Sequence, residues 1–508
     1  MQAAVLRRLA PAASILSFLL LALVSATPAS PFQPLLPAAG DPSGPLRWVA
    51  GAVRLDSLGQ TPLAVVGVVS VVLAAAGFVL LAWAAWRREV GVRTVVAIAL
   101  LGHLLVVFLP MLFSRDVYSY AYYGRIASVY HANPYVATPA DYPHDLLAAF
   151  VGPKWVMTPA VYGPVWVLVS VGVVRIAASV TAMIEVFRAI AIVGSLGTLA
   201  LIWWTVRRVM PRRTAFALAA FGANPVVLFH SVASGHNDLL VALSIVGGFA
   251  LVVARRPRIA IAVLAIGALI KVTAALPLLL LVVALVARRP AGRRVREAAI
   301  DTGIAAVIAL AFALPFFQTT DPTLGMLELA GHEGWLAPSR FFHRLFDVVG
   351  IGWLARVAFG LGLVVAVVVI ARSLVQWRDR GEEELGAAWG WALLLLVLLG
   401  PVLLPWYVTW VLPLAWLLPR VPRVVALALS AALILSQLRT EPSTLPQLYS
   451  TSLVIGHYVI TPFVIAMLAW LVFDLRRRVR TATPLGEERA VSGDRHERQH
   501  EQPVRGAR

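Results

Sequence analysis

Apolar stretches of about eighteen residues or more recur from one end of this chain to the other. Soluble core helices are shorter and keep a polar face. The pattern therefore specifies an all-α polytopic membrane protein, in which each helix satisfies its own backbone polar groups. Spans are expected near 9–27, 62–85, 94–113, 161–180, 187–206, 214–231, 238–254, 298–316, 351–371, 386–404, 406–419, 422–437 and 453–474. The apolar run between Arg258 and Arg288 is basic at both ends. A single crossing would put one basic end outside, so two short helices meeting near Lys271 are expected instead.

The 508 residues carry a formal net charge of +18. The excess sits in arginine clusters between spans, among them Arg87/Arg88, Arg207/Arg208, Arg288/Arg289 and Arg476 to Arg478. This is the positive-inside distribution, not a nucleic-acid-binding stripe. Cysteine is absent, which excludes disulfides, thiol catalysis and thiolate metal sites. The first 27 residues have a basic start and an apolar run, and "VSATPAS" would suit cleavage, but a retained first span is expected. The scheme divides the chain into an N-terminal span and external loop (1–60), a transmembrane unit (61–474) and a disordered cytoplasmic tail (475–508). It leaves 28–60, 114–160 and 318–350 as larger external segments. One conflict stands. Asp116 outside and Arg207/Arg208 inside require an odd number of crossings, yet two apolar runs, 161–180 and 187–206, lie between them.

The polar residues that remain concentrate on the external side. In "FSRDVYSYAYYGRI" (113–126), a helix starting at Asp116 places Asp116, Tyr120 and Tyr123 on one face. This reads either as a capped interfacial helix with a tyrosine belt or as the edge of a site. The loop that follows holds Lys154, Trp155 and the proline turns "NPY" and "YGP". Rings beside carboxylates offer stacking faces and hydroxyl acceptors, as a sugar site needs. His236, Asn237 and Asp238 stand at the start of the next span, where Asn or Asp is a helix-capping type; His236 and Asp238 could share a metal ion, but the wider His, Asp and Glu pattern does not converge on a ligand set. Lys271 lies inside an apolar run, at a cost of roughly 2.5–3.5 kcal/mol at mid-membrane. It reads as a snorkelling lysine or a phosphate ligand. Arg340, His343 and Arg344 share one stripe of an amphipathic helix, and Pro401 and Pro405 break a helix beside Trp406, Tyr407 and Trp410. No P-loop, HExxH or other nucleotide or metalloprotease motif occurs in a suitable context.

Together "FSRDVYSYAYYGRIASVYHANPY", "TPAVYGPVW", "NPVVLFHSVASGHND", the lone "IK" and "LLPWYVTWVLPL" resemble the polyprenol-phosphate-mannose-dependent alpha-1,6-mannosyltransferases of actinobacteria, glycosyltransferases of the GT-C type. The resemblance covers about residues 60 to 475. It implies a GT-C bundle of about thirteen to fifteen helices with extracytoplasmic loops forming the active site. It implies polyprenyl-phosphate mannose as donor, a lipomannan-type glycolipid as acceptor and no cofactor. It places the catalytic base at Asp116, and the chemistry of the departing phosphate then asks for cations: Lys271, Arg340 and Arg344 are the candidates, with Arg115 and Arg439 behind them. Tyr120, Trp155, His236, Asp238, Trp406 and Tyr407 would contact sugar or acceptor. Transfer of arabinose, an alpha-1,2-mannosyl linkage or a lipid or sugar transporter are the alternative readings; a transporter predicts a repeat and midplane charges, and no repeat is visible.

Overall fold

The computed structural model describes residues 2–34, 36–37, 45–317, 324–327, 332, 334, 336–436 and 446–488. Arg439 lies outside the described residues, as do parts of the segments 28–60 and 318–350 expected to be external. Within them every regular element is helical, and the chain is an all-α polytopic membrane protein.

Among the described residues six helices are long and apolar enough to cross a bilayer: Val5–Ala26, Gln60–Trp86, Val180–Val209, Ala291–Phe316, Trp353–Gln376 and Ser450–Arg480. A seventh span exists if Pro211–Gly222 and Val226–Val232, bent by 41°, are taken together. This is fewer than the number expected from the apolar runs. Several of those runs fold into helices of 10–17 residues, such as Val92–Val107 and Asp238–Val253. At about 1.5 Å per residue these fall short of a hydrocarbon core of about 30 Å. The run at 406–419 is not a helix of its own but two 3₁₀ turns, Pro405–Trp410 and Leu412–Leu414.

Helix length also separates the two apolar runs that lie between Asp116 and Arg207. Pro164–Ile176 has 13 residues and reaches only about 20 Å, whereas Val180–Val209 has 30. Of the two apolar runs between Asp116 and Arg207, only the second is therefore long enough to cross. The break near Lys271 is present: Pro257–Ala268 ends, and Ala275–Ala287 follows after a single 3₁₀ turn.

The four tyrosines after Asp116 do not form a belt. Tyr118, Tyr120, Tyr122 and Tyr123 are all buried. The Tyr122 hydroxyl donates to the carbonyls of Pro139 and Tyr142 at 3.1 and 2.6 Å, and Tyr123 donates to Thr158 at 3.0 Å. They bind the following loop back onto the helix. Asp145, Arg125 and Tyr130 complete that attachment, with contacts of 2.7 and 2.8 Å.

The tail does not begin at 475. The last helix runs to Arg480, and 481–488 folds back against the bundle. Leu485 is buried, and the Glu384 carboxylate accepts the backbone N–H groups of Leu485 and Gly486 at 2.6 and 2.9 Å. Glu488 pairs with Arg423 at 2.7 Å.

Candidate active site

The site is assembled from three backbone interruptions. The first lies between Val92–Val107 and Asp116–Ser128. Phe113 there holds φ +56°, a left-handed conformation that costs a non-glycine residue roughly 1–2 kcal/mol. Its surroundings hold it there. Its N–H donates to the Phe32 carbonyl at 2.9 Å, its ring stacks on His230 with centroids 4.0 Å apart, and Ser234 donates to the Leu112 carbonyl at 2.6 Å. Ser114 Oγ then accepts the Asp116 N–H at 3.1 Å. Asp116 is the first helical residue and not the cap, so its carboxylate is left over for other work.

The Asp116 side chain is 19% exposed and borders a cavity of about 330 Å³. Burial lifts its carboxyl from 3.8 to about 6, with Lys271 and the Ser114 hydrogen bond pulling it down and Asp238 pushing it up. A carboxylate with that proton affinity is suited to general base work near neutral pH.

The second interruption is the turn from Val232 to Asp238, where Gly235 takes φ +65°. Buried Arg188 donates to the Ala233 carbonyl at 3.1 Å and holds the turn in place. His236 is fully buried, with Nδ1 3.8 Å from Asp116 Oδ2 and 3.4 Å from the Tyr120 hydroxyl. Its ring stacks on Trp406 at 3.9 Å. Burial, reinforced by the Lys271 charge, drives its pKa down, so it is neutral.

The third is the break at Lys271. Its ammonium lies 2.8 Å from Asp238 Oδ1, which also accepts the Trp410 indole N–H at 2.8 Å. The same ammonium sits over the Tyr407 ring at 4.5 Å. The N–H groups of Gly163 and Val165 satisfy the carbonyls of Ile270 and Leu269 left open by the break. A Cβ on Gly163 would collide with the Leu269 carbonyl oxygen, so the "YGP" turn requires glycine.

Asp116, Arg115, Lys271, Trp155, Trp406 and Tyr407 thus line one cavity. Other expected contacts do not reach it. His236 and Asp238 lie behind the Trp406–Tyr407 wall, as backing and as counter-ion to Lys271, and neither is among the lining residues. Neither Asn237 nor Asp238 caps its helix through a side chain. Tyr120 is deeper still, packed against Tyr162, Trp166 and Phe187. Arg340 and Arg344 sit on the amphipathic helix Pro338–Asp347, outside the lining. Sequence reasoning did not single out Phe113, Pro34 and His332, which do line the cavity. Only the arginine–aspartate pair that follows it drew attention to the neighbourhood of Phe113. Among the described residues no group of three or more His, Asp or Glu side chains is arranged to hold a metal ion.

A family model described as alpha-(1->6)-mannopyranosyltransferase, N-terminal domain, matches residues 37–288, and one described as MptB C-terminal domain matches 341–471. The chain is 29% identical over 377 residues to alpha-(1->6)-mannopyranosyltransferase A of Mycobacterium tuberculosis, covering 69% of this chain and 71% of that protein. It is 28% identical over 360 residues to a probable alpha-(1->6)-mannopyranosyltransferase of Mycolicibacterium smegmatis, covering 60% and 62%. A 28% match to alpha-(1->6)-mannopyranosyltransferase A of Corynebacterium glutamicum covers 34% and 35%. No solved structure matches the chain.

Proposed function

We propose, for a chain that belongs to the alpha-(1->6)-mannopyranosyltransferase family and is a membrane glycosyltransferase, that it moves mannose from polyprenyl-phosphate mannose to the 6-hydroxyl of a mannan or lipomannan-type glycolipid at the extracytoplasmic face. The observation that carries this is the joint lining of one cavity by a carboxylate of raised proton affinity, the cations Arg115, Lys154 and Lys271, and the rings of Phe113, Trp155, Tyr162, Trp406 and Tyr407.

A beta-linked donor that yields an alpha linkage reacts with inversion. One displacement then needs one base and no protein nucleophile. Asp116 takes the proton of the acceptor hydroxyl as its oxygen bonds to C1. The C1–O bond to phosphate breaks, and its electron pair leaves on a phosphate monoester. Lys271 and Arg115, both on the cavity wall, balance the charge that develops there. Lys271 has three donors and only one is committed to Asp238 Oδ1, so it can hold a phosphate oxygen without leaving its buried partner. Trp155, Trp406 and Tyr407 offer ring faces to the sugars. Leu336, Leu403, Leu404 and Leu453 give the same cavity an apolar arm suited to a prenyl chain.

The test is purified protein with labelled polyprenyl-phosphate mannose and a short alpha-1,6-mannoside, followed by linkage analysis. An alpha-1,6-linked product from the lipid donor is expected. Transfer from a nucleotide sugar alone, or a different linkage, would overturn the reading.

A further inference from the structure

We infer that the strap Thr27–Pro34, which follows the first helix and lies outside the segments that the family models match, is a positioning element of the site through Phe32. The strap is built, not loose. Gln33 Nε2 donates to the carbonyls of Ser25 and Thr27, both at 2.8 Å, and closes the turn on the end of the helix. That helix is anchored in turn, with Phe18 and Leu21 fully buried and Ser14 donating to the Gly77 carbonyl at 3.1 Å.

Phe32 is 1% exposed and touches three things. Its ring end lies over Gly67, where a Cβ would meet Phe32 Cζ at 3.1 Å and Pro31 Cγ at 3.2 Å. Its carbonyl accepts the Phe113 N–H at 2.9 Å. Its ring lies 5.3 Å from that of Phe113, whose other neighbour is the His230 ring at 4.0 Å. Phe113 is therefore clamped between Phe32 and His230 while its backbone stays left-handed. It lies three residues before Asp116, and Phe113, Ser114 and Pro34 all line the cavity. Unclamped, Phe113 would relax towards the ordinary φ range and turn the entry of the Asp116 helix. A base displaced by about 1 Å loses most of its rate advantage.

The inference rests on Asp116 as the base. The experiment measures mannosyl transfer in membranes by Phe32→Ala, Phe32→Leu and Gly67→Val, beside Asp116→Asn. Phe32→Ala should lower kcat about 10- to 100-fold with KM for polyprenyl-phosphate mannose within about twofold of wild type. Phe32→Leu refills volume without the ring and should fall between. Gly67→Val pushes the strap from its far side, away from the cavity, and should also lower kcat selectively. Wild-type kcat in both Phe32→Leu and Gly67→Val, or parallel changes of kcat and KM, would overturn the positioning role. That role falls alone if Asp116→Asn is inactive while those variants are normal. Full transfer by Asp116→Asn would instead remove the base assignment beneath it.

Discussion

The ionised Asp116 carboxylate should destabilise the protein it serves. Burial raises its carboxyl from 3.8 to about 6, a shift of roughly two units at about 1.36 kcal/mol each. The folded state then binds the proton more tightly than the unfolded chain, so stability falls as pH rises from about 3.8 to 6 and stays lower above it. Asp116→Asn removes the charge and keeps the shape. Above pH 6 it should stabilise the protein by about 2–3 kcal/mol, and the gap should close as pH falls through the window from about 6 to 3.8. The assay is thermal unfolding of detergent-solubilised wild type and variant at pH 8, 6 and 4.5. With Asp116 as the proposed base, wild-type transfer should decline over the same window, by tenfold per unit well below pH 6. A variant no more stable than wild type at pH 8, or a gap that widens on acidification, would refute the reasoning.

The buried pair Lys271–Asp238 should respond asymmetrically: Lys271→Met or Asp238→Ala alone costs about 3–5 kcal/mol, whereas Lys271→Met with Asp238→Leu recovers much of it. Stability curves of the three variants check this, and the double variant should still fail in mannosyl transfer. Gly163→Ala should not be accommodated, because its Cβ would collide with the Leu269 carbonyl; measured membrane abundance and Tm should fall well below wild type.

What the sequence could and could not reveal follows from the range of the forces involved. Apolar runs are legible because the bilayer tests each residue separately, and the break at Lys271 was legible from the basic residues at both ends. Helix length was not, since a run such as 406–419 is apolar whether it crosses or coils into 3₁₀ turns. Asp116, Trp155 and Lys271 were recognisable as polar or aromatic residues in unusual places. The work of Asp238 was not, because its partners are 33 and 172 residues away. The tyrosines after Asp116 looked interfacial because a loop that folds back over its own helix leaves no periodic trace. The strap and the docked segment 481–488 escaped notice for the same reason: each is defined by distant contacts, Phe32 with Phe113 and Leu485 with Glu384.

The central claim is that Asp116 takes the acceptor's proton in a transfer from a lipid-phosphate mannose. Its most direct test measures single-turnover transfer of labelled mannose from polyprenyl-phosphate mannose to an alpha-1,6-mannoside, by wild type and by Asp116→Asn at equal abundance in membranes. The account predicts an alpha-1,6-linked product from wild type and a rate lower by about 10²–10⁴-fold from the variant, with donor binding retained. Equal single-turnover rates would contradict it.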